Sequence, residues 1–263
     1  MILDCSYRLP GPLATKLLAD EGNEVVRIEY LNSPDRFSHG SINGTKIWYK
    51  RFNQGKKLKK LDCECFNDFL IKNKKDIVSA IVDEPSPFLA ILKKNFIKTI
   101  VISSSRYKKR PIHDLDILAR NNYFDLKTKI PELPFVGMLF AQRIVTEFYK
   151  LSLGRTTEKY VYLDEVSEIL KLVTLKGEDR FYTGQVIGYN EYKLKDGALY
   201  LTALEGRSWI EFLDFIELPE GKNIHPTSKI EHPFFRTLCF KVKSMTKDSF
   251  SSYESTRQCF TII

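Results

Sequence analysis

The feature that most constrains this chain is the alternation, over its first hundred residues, of short apolar runs with segments of helical spacing. Met1 to Asp4 is a short apolar start, Ser6 to Pro12 is turn-like, and Leu13, Leu17 and Leu18 share one face of a helix. Gly22-Asn23 supplies a left-handed stop, and Val25, Val26 and Ile28 form the next strand. The pattern then repeats: a helix over Phe66 to Lys74, a buried strand over Ile77 to Val82, a helix over Pro87 to Asn95 and a strand over Ile97 to Ile102. Strand, helix and strand at these lengths predict an α/β fold with an open, doubly wound, mostly parallel sheet.

In such sheets ligands sit outside the carboxyl ends of the strands. The loops to inspect are therefore Cys5 to Pro12, Tyr30 to Phe37, Asp83 to Pro87 and Ser103 to His113. Glu29 closes the second strand, where an acidic residue could hold a ribose. The first loop, Cys5-Ser-Tyr-Arg-Leu-Pro-Gly-Pro12, is not the Gly-x-Gly-x-x-Gly fingerprint, which argues against a dinucleotide.

The back half changes character. Tyr189 to Glu205 alternates and turns at Asp196-Gly197, a hairpin signal. Ser208 to Ile216 reads as a helix, Leu218 to Pro226 as a loop, and a further helix is expected from Thr246 as N-cap. These elements predict a second, smaller α+β domain, with residues 1–185 as the large α/β domain and 186–263 as the small one.

The 263 residues are 43% hydrophobic and carry a net charge of +8, enough apolar content for a real core and enough basic charge to ask for an anionic partner. The charge is concentrated. Residues 46–60 hold Lys46, Lys50, Arg51, Lys56, Lys57, Lys59 and Lys60 with no acidic residue, and residues 85–113 are likewise basic and acid-free. A solvated lysine-rich surface accounts for many such side chains. Nucleic acid would want aromatics interleaved with the charge, and only Trp48, Tyr49 and Phe52 offer them, so that partner is disfavoured. Five scattered cysteines without metal-ligand spacing predict reduced thiols, no metal and a cytoplasmic protein. The longest apolar run, Leu133 to Ala141, falls short of the roughly 20 residues of a membrane helix.

The order of motifs resembles the family III CoA-transferases (CaiB/BaiF-like) and their relatives the 2-methylacyl-CoA racemases. The resemblance rests on Leu3-Asp4, Gly11-Pro12, Leu17-Leu-Ala-Asp20 before Gly22, and Val25-Val-Arg-Ile-Glu29. It continues through Pro34-Asp-Arg36, Arg51-Phe-Asn-Gln-Gly-Lys-Lys57, Ile112-His-Asp-Leu-Asp116, Ala203-Leu-Glu-Gly-Arg-Ser-Trp209 and the closing Cys259 to Ile263. It implies coenzyme A or an acyl-CoA thioester as ligand, with no covalent cofactor, and a homodimer. It also implies cofactor contacts from Arg36, Arg51, Lys56 and Lys57, and an acid/base role for His113. Glu205 matches a glutamate near the racemase active site.

One position departs from the pattern. The family's catalytic aspartate, an acid/base in racemases and a nucleophile in transferases, falls here on Met138, with no Asp or Glu from Leu133 to Arg143. The expectation is a divergent CoA-ester-binding member that has lost the usual chemistry. The alternatives are an active acyl-CoA racemase or transferase using His113 with a non-standard partner, and a basic, non-enzymatic interaction or nucleic-acid-binding protein. Relatives continue beyond the position of Ile263 with a segment that returns to the large domain and interlocks their dimers.

Overall fold

The computed structural model describes residues 1–38, 45–106, 117–118, 134–173, 184–251, 253 and 259–262. The chain divides into two compact units, Met1–Thr174 and Leu175–Ile263.

The first unit holds the strands β1 (Ile2–Cys5), β2 (Val25–Tyr30), β3 (Lys57–Leu61), β4 (Ser79–Asp83), β5 (Thr99–Ser103) and β6 (Glu158–Tyr162). They pair in the order β3-β2-β1-β4-β5-β6, and every pairing is parallel. The helices are α1 (Pro10–Asp20), α2 (Thr45–Asn53), α3 (Cys63–Asn73), α4 (Phe88–Lys94), α5 (Phe135–Leu153) and α6 (Val166–Val173).

The central strands are buried on both faces, which is why they read as continuous apolar runs rather than alternating ones. Ile2, Val25, Ile81 and Ile100 pack with Leu18 of α1 and with Phe140, Ile144 and Phe148 of α5. Their neighbours Leu3, Val26, Ala80 and Val101 pack with Phe66 and Leu70 of α3 and Phe88 and Leu92 of α4. Adjacent residues thus feed opposite layers, as the two-residue period of a strand requires. The α1 helix starts at Pro10, inside the segment that reads as a turn, because proline at the first helical position gives up no hydrogen bond.

The second unit is α+β. An antiparallel sheet in the order β7 (Tyr189–Lys193), β8 (Ala198–Thr202), β9 (Phe260–Ile262) packs in one core with α7 (Gly206–Phe215) and α8 (Pro233–Lys243). Trp209 fills its centre, and the Trp209 Nε1–H donates to the Ile224 carbonyl at 2.8 Å. The helix expected from Thr246 is only a 3₁₀ turn, Lys247–Phe250, although Thr246 does cap it together with Ser249. α8, in a segment for which no element is predicted above, supplies the buried Phe234, Leu238 and Val242.

Among the described residues no helix is long and apolar enough to cross a membrane. All five cysteines are unpaired, with Cys5 and Cys259 buried.

Candidate functional site

β1 is bonded to β2 on one side and to β4 on the other, and the chain leaves β1 toward β2 but leaves β4 toward β5. The connections therefore diverge at the carboxyl ends of β1 and β4, the switch point where such sheets open a ligand crevice. The loop after β1 is pinned there by three carboxylates. Asp4 Oδ1 accepts the Ser6 N–H at 3.2 Å, Asp83 Oδ2 accepts the Tyr7 N–H at 2.6 Å, and Asp35 Oδ2 accepts the Arg8 N–H at 3.0 Å. Arg8 sits in the left-handed region at φ 64°, a strained conformation for a non-glycine that these bonds sustain.

This geometry makes the loop unlike a dinucleotide turn. The amides that would point at a pyrophosphate are engaged by internal carboxylates, and Pro10 and Pro12 have no N–H to offer. Glu29 is fully buried and accepts the Tyr49 hydroxyl at 2.6 Å, so it faces inward and holds no ribose.

Beneath the loop lies a buried polar core. The Arg27 guanidinium donates to Asp4 Oδ1 at 3.0 Å, to Asp35 Oδ2 at 2.9 Å and to the Ser6 carbonyl. Lys56 Nζ donates to Asp4 Oδ2 at 2.9 Å, to Thr15 Oγ1 at 2.8 Å and to the Pro12 carbonyl at 2.8 Å. Burial by itself raises the Asp4 carboxyl, but Arg27 and Lys56 beside it overcome that and hold it well below the usual carboxylate range. For Asp35 burial wins, and its carboxyl is raised. The network ties β1, β2, α1 and the loops after β2 and α2 into one rigid floor.

Asp83 differs from these residues. It ends β4, half-buried, and its Oδ2 has only the Tyr7 amide as partner. Its neighbours have other partners: Asp4 and Asp35 face cations, Glu29 accepts from Tyr49 through one oxygen while its other oxygen is buried without a hydrogen bond, Glu84 accepts the Ser103 hydroxyl at 2.5 Å, and Asp164 accepts the Ser105 hydroxyl at 2.8 Å. Loss of water around Asp83 pushes its carboxyl from 3.8 up to about 7, against the lowering effect of the Tyr7 amide and Arg27. Tyr7 is likewise raised by burial.

Of the residues expected from the sequence, Arg36 and Arg51 are exposed, on the loop after β2 and the last turn of α2. Lys57 is exposed on the edge strand β3 and pairs with Glu24 at 2.6 Å. The Lys56 side chain is wholly buried, and its charge is committed to Asp4 rather than turned outward. Met138 lies in the first turn of α5, 41% exposed beside the equally open Phe135 and Leu139. Glu205 is the exposed N-cap residue of α7 in the small unit. His113 lies outside the described residues, while Ile117 and Leu118, just after it, are buried in the core with Phe140.

Asp83, Arg8 and Arg27 were missed as site residues. The strand-end rule pointed to the loops holding Asp83 and Arg8, but no motif marks the side chains. Arg27 sits in an apolar strand with nothing in the sequence to say that three carboxylates await it. A groove of about 390 Å³ on the small unit's hairpin, lined by Tyr189, Asn190, Glu191 and Tyr200, contains no buried charge. Among the described residues no three His, Cys, Asp or Glu side chains gather as a metal site.

A sequence profile of the family described as CoA-transferase family III matches residues 1–67. Among solved structures, the hypothetical protein Rv3272 from Mycobacterium tuberculosis is 14% identical at a TM-score of 0.68, over 95% of this chain and 78% of that one. A CAIB/BAIF family protein from Brucella suis is 14% identical at a TM-score of 0.67, also over 95% and 78%. No curated protein matches the sequence. At these identities the likeness to the solved structures is one of fold, and the sequence-level match covers β1 through the start of α3. The chain therefore has the family III CoA-transferase fold, and over residues 1–67 it carries that family's sequence pattern.

Proposed function

We propose that the protein binds a coenzyme A thioester at the carboxyl edge of its six-stranded sheet, and that the family's aspartate-dependent step has no residue to carry it. The observation that supports this most is Met138 in the first turn of α5, the helix that leads from the β5 side of the sheet into β6. A thioether has no proton to exchange and forms no acyl anhydride, so neither racemisation through that carboxylate nor acyl transfer onto it proceeds.

Ligand binding needs different groups. Coenzyme A carries a 3′-phosphate and a diphosphate, and the exposed Arg36, Arg51 and Lys57 supply cations for them on the segment that matches the family profile. Lys56 contributes from inside by fixing the loop and helix that present Arg51. Because the amides of the β1–α1 turn are occupied, the phosphates are held by side chains rather than by a glycine-rich cradle. His113 remains the candidate acid/base group that the resemblance implies. The same reading carries a homodimer and a cytoplasmic location, as in the family it resembles.

Thermal unfolding with and without coenzyme A tests the proposal. A ligand that binds only the folded state at 100 times its Kd adds about 2.7 kcal/mol of stability, a shift of several degrees. No shift with coenzyme A or any acyl-CoA would overturn it.

A further inference from the structure

We propose that Asp83, at the carboxyl end of β4, is a catalytic base that exchanges the α-proton of the bound thioester. This rests on the proposed binding of a CoA thioester at the same edge of the sheet, and it assigns to the site a proton-transfer residue outside the Met138 position.

The argument is one of geometry and elimination. Asp83 stands at the switch point, where the loops after β1 and β4 part. One oxygen is fixed by the Tyr7 N–H at 2.6 Å, which orients the carboxyl, and the other has no hydrogen bond among the described residues. Among the other carboxylates around this end of the sheet, Asp4 and Asp35 are locked to cations, Glu29 is sealed in the interior against Tyr49 and Arg27, and Glu84 is exposed to water with a serine hydroxyl on one oxygen. A base must be neither locked in an ion pair nor so well solvated that it is weak, and Asp83 meets both conditions.

The groups facing it are Asp4 and Cys5 of β1, Tyr7 and Arg8 of the following loop, Arg27 of β2 and Glu84 of its own loop. Asp4 and Arg27 neutralise one another. The exposed Arg8 is within electrostatic reach of Asp83, and its strained backbone holds it at the crevice. It is the cation placed to stabilise negative charge on a nearby thioester oxygen.

The step balances without any further reactant. The Asp83 carboxylate takes the α-hydrogen as a proton, the C–H electron pair becomes the enolate double bond, and the carbonyl π pair moves onto the thioester oxygen. The neutral Asp83 carboxyl trades its proton with water, then returns a proton to the same carbon, and the thioester carbonyl re-forms. With one base on one face, the product keeps its configuration. In deuterated water the outcome is α-deuteration with retention, whereas a two-base racemase gives deuteration with inversion.

The test uses the full chain with acetyl-CoA and with one enantiomer of a 2-methylacyl-CoA in deuterated water, read by mass spectrometry and chiral analysis. Expected are deuterium incorporation without loss of configuration, and a rate that rises about tenfold per pH unit below pH 7 and levels above it, since only the ionised carboxylate accepts a proton. Asp83→Asn should lower the rate at least 100-fold while coenzyme A still raises its unfolding temperature, and Asp83→Glu should restore part of the rate. Exchange unchanged in Asp83→Asn, or thermal stabilisation by acyl-CoA with no exchange in the native protein, would overturn the role of Asp83 and leave the binding proposal standing. Absence of any stabilisation by coenzyme A would overturn both.

Discussion

Lys56 and Lys57 are neighbours in one basic run, yet they do opposite things. The Lys56 ammonium is sealed against Asp4 and Thr15, whereas Lys57 lies in water beside Glu24. Removing one partner of a buried ion pair leaves the other uncompensated, so Lys56→Met and Arg27→Leu should each cost roughly 3–5 kcal/mol in urea unfolding. Lys57→Ala should change stability by less than about 0.5 kcal/mol. Equal effects at the two lysines would contradict the placement. Asp83 has a stability signature of the reverse kind to Asp4. Its folded value near 7 lies above the ordinary 3.8, so between those values the folded state holds a proton that the unfolded chain has released. Stability from this group is therefore full below about pH 4 and falls as pH rises through 7. Asp83→Asn should match the native protein near pH 4 and exceed it above pH 7 by on the order of 1–3 kcal/mol, allowing for solvent at the half-buried carboxyl. Such behaviour is not legible in the sequence. A lysine run has no pattern that separates an inward ammonium from an outward one, and Asp83 looks like any aspartate ending a strand.

Among the elements, what the sequence reveals depends on how each strand is buried. β1, β2, β4 and β5 are covered on both faces and stand out as apolar runs. β3 and β6 lie at the two edges, and β3 carries exposed Lys57, Lys59 and Lys60, so the backbone ladder to β2 holds it rather than side-chain burial. That is why β3 reads as a charge run. α5 reads as a short apolar stretch but runs from Phe135 to Leu153, because its polar residues form the outer face of a helix that packs on α1 and β5. At the start of α1 the constraint is steric. A Cβ on Gly11 would lie 2.1 Å from Ser6 Oγ and 2.9 Å from Ile102 Cδ1, so the helix meets the β1 loop there with no room for a side chain. Gly11→Ala should cost about 1–3 kcal/mol, read as a lower urea midpoint. An unchanged midpoint would show that the approach is looser than described. The Leu-Asp strand followed by Gly-Pro in the sequence is thus a packing requirement, and it was legible as a motif before its cause was visible.

In the whole molecule, the α/β unit and the smaller α+β unit were both foreseeable, since strand-helix-strand spacing and an Asp-Gly hairpin are local signals. The site was only partly so. Strand-end topology pointed to this edge of the sheet and the family resemblance suggested the proposed ligand, while the buried polar side chains there come from β1, β2, β4, α1, α2 and three loops, a convergence that no local pattern encodes. The net charge of +8 includes cations buried in the interior, such as Arg27 and Lys56, and cations exposed on the surface, such as Arg36 and Arg51, and only the second group is placed to meet a phosphate. The most direct test of CoA-thioester binding is calorimetric titration of acetyl-CoA into the full chain at low and high salt. The account predicts saturable binding that weakens with salt and weakens about tenfold or more in Arg36→Ala/Arg51→Ala, in keeping with screened phosphate contacts. No saturable binding at low salt, or binding indifferent both to salt and to loss of these arginines, would contradict it.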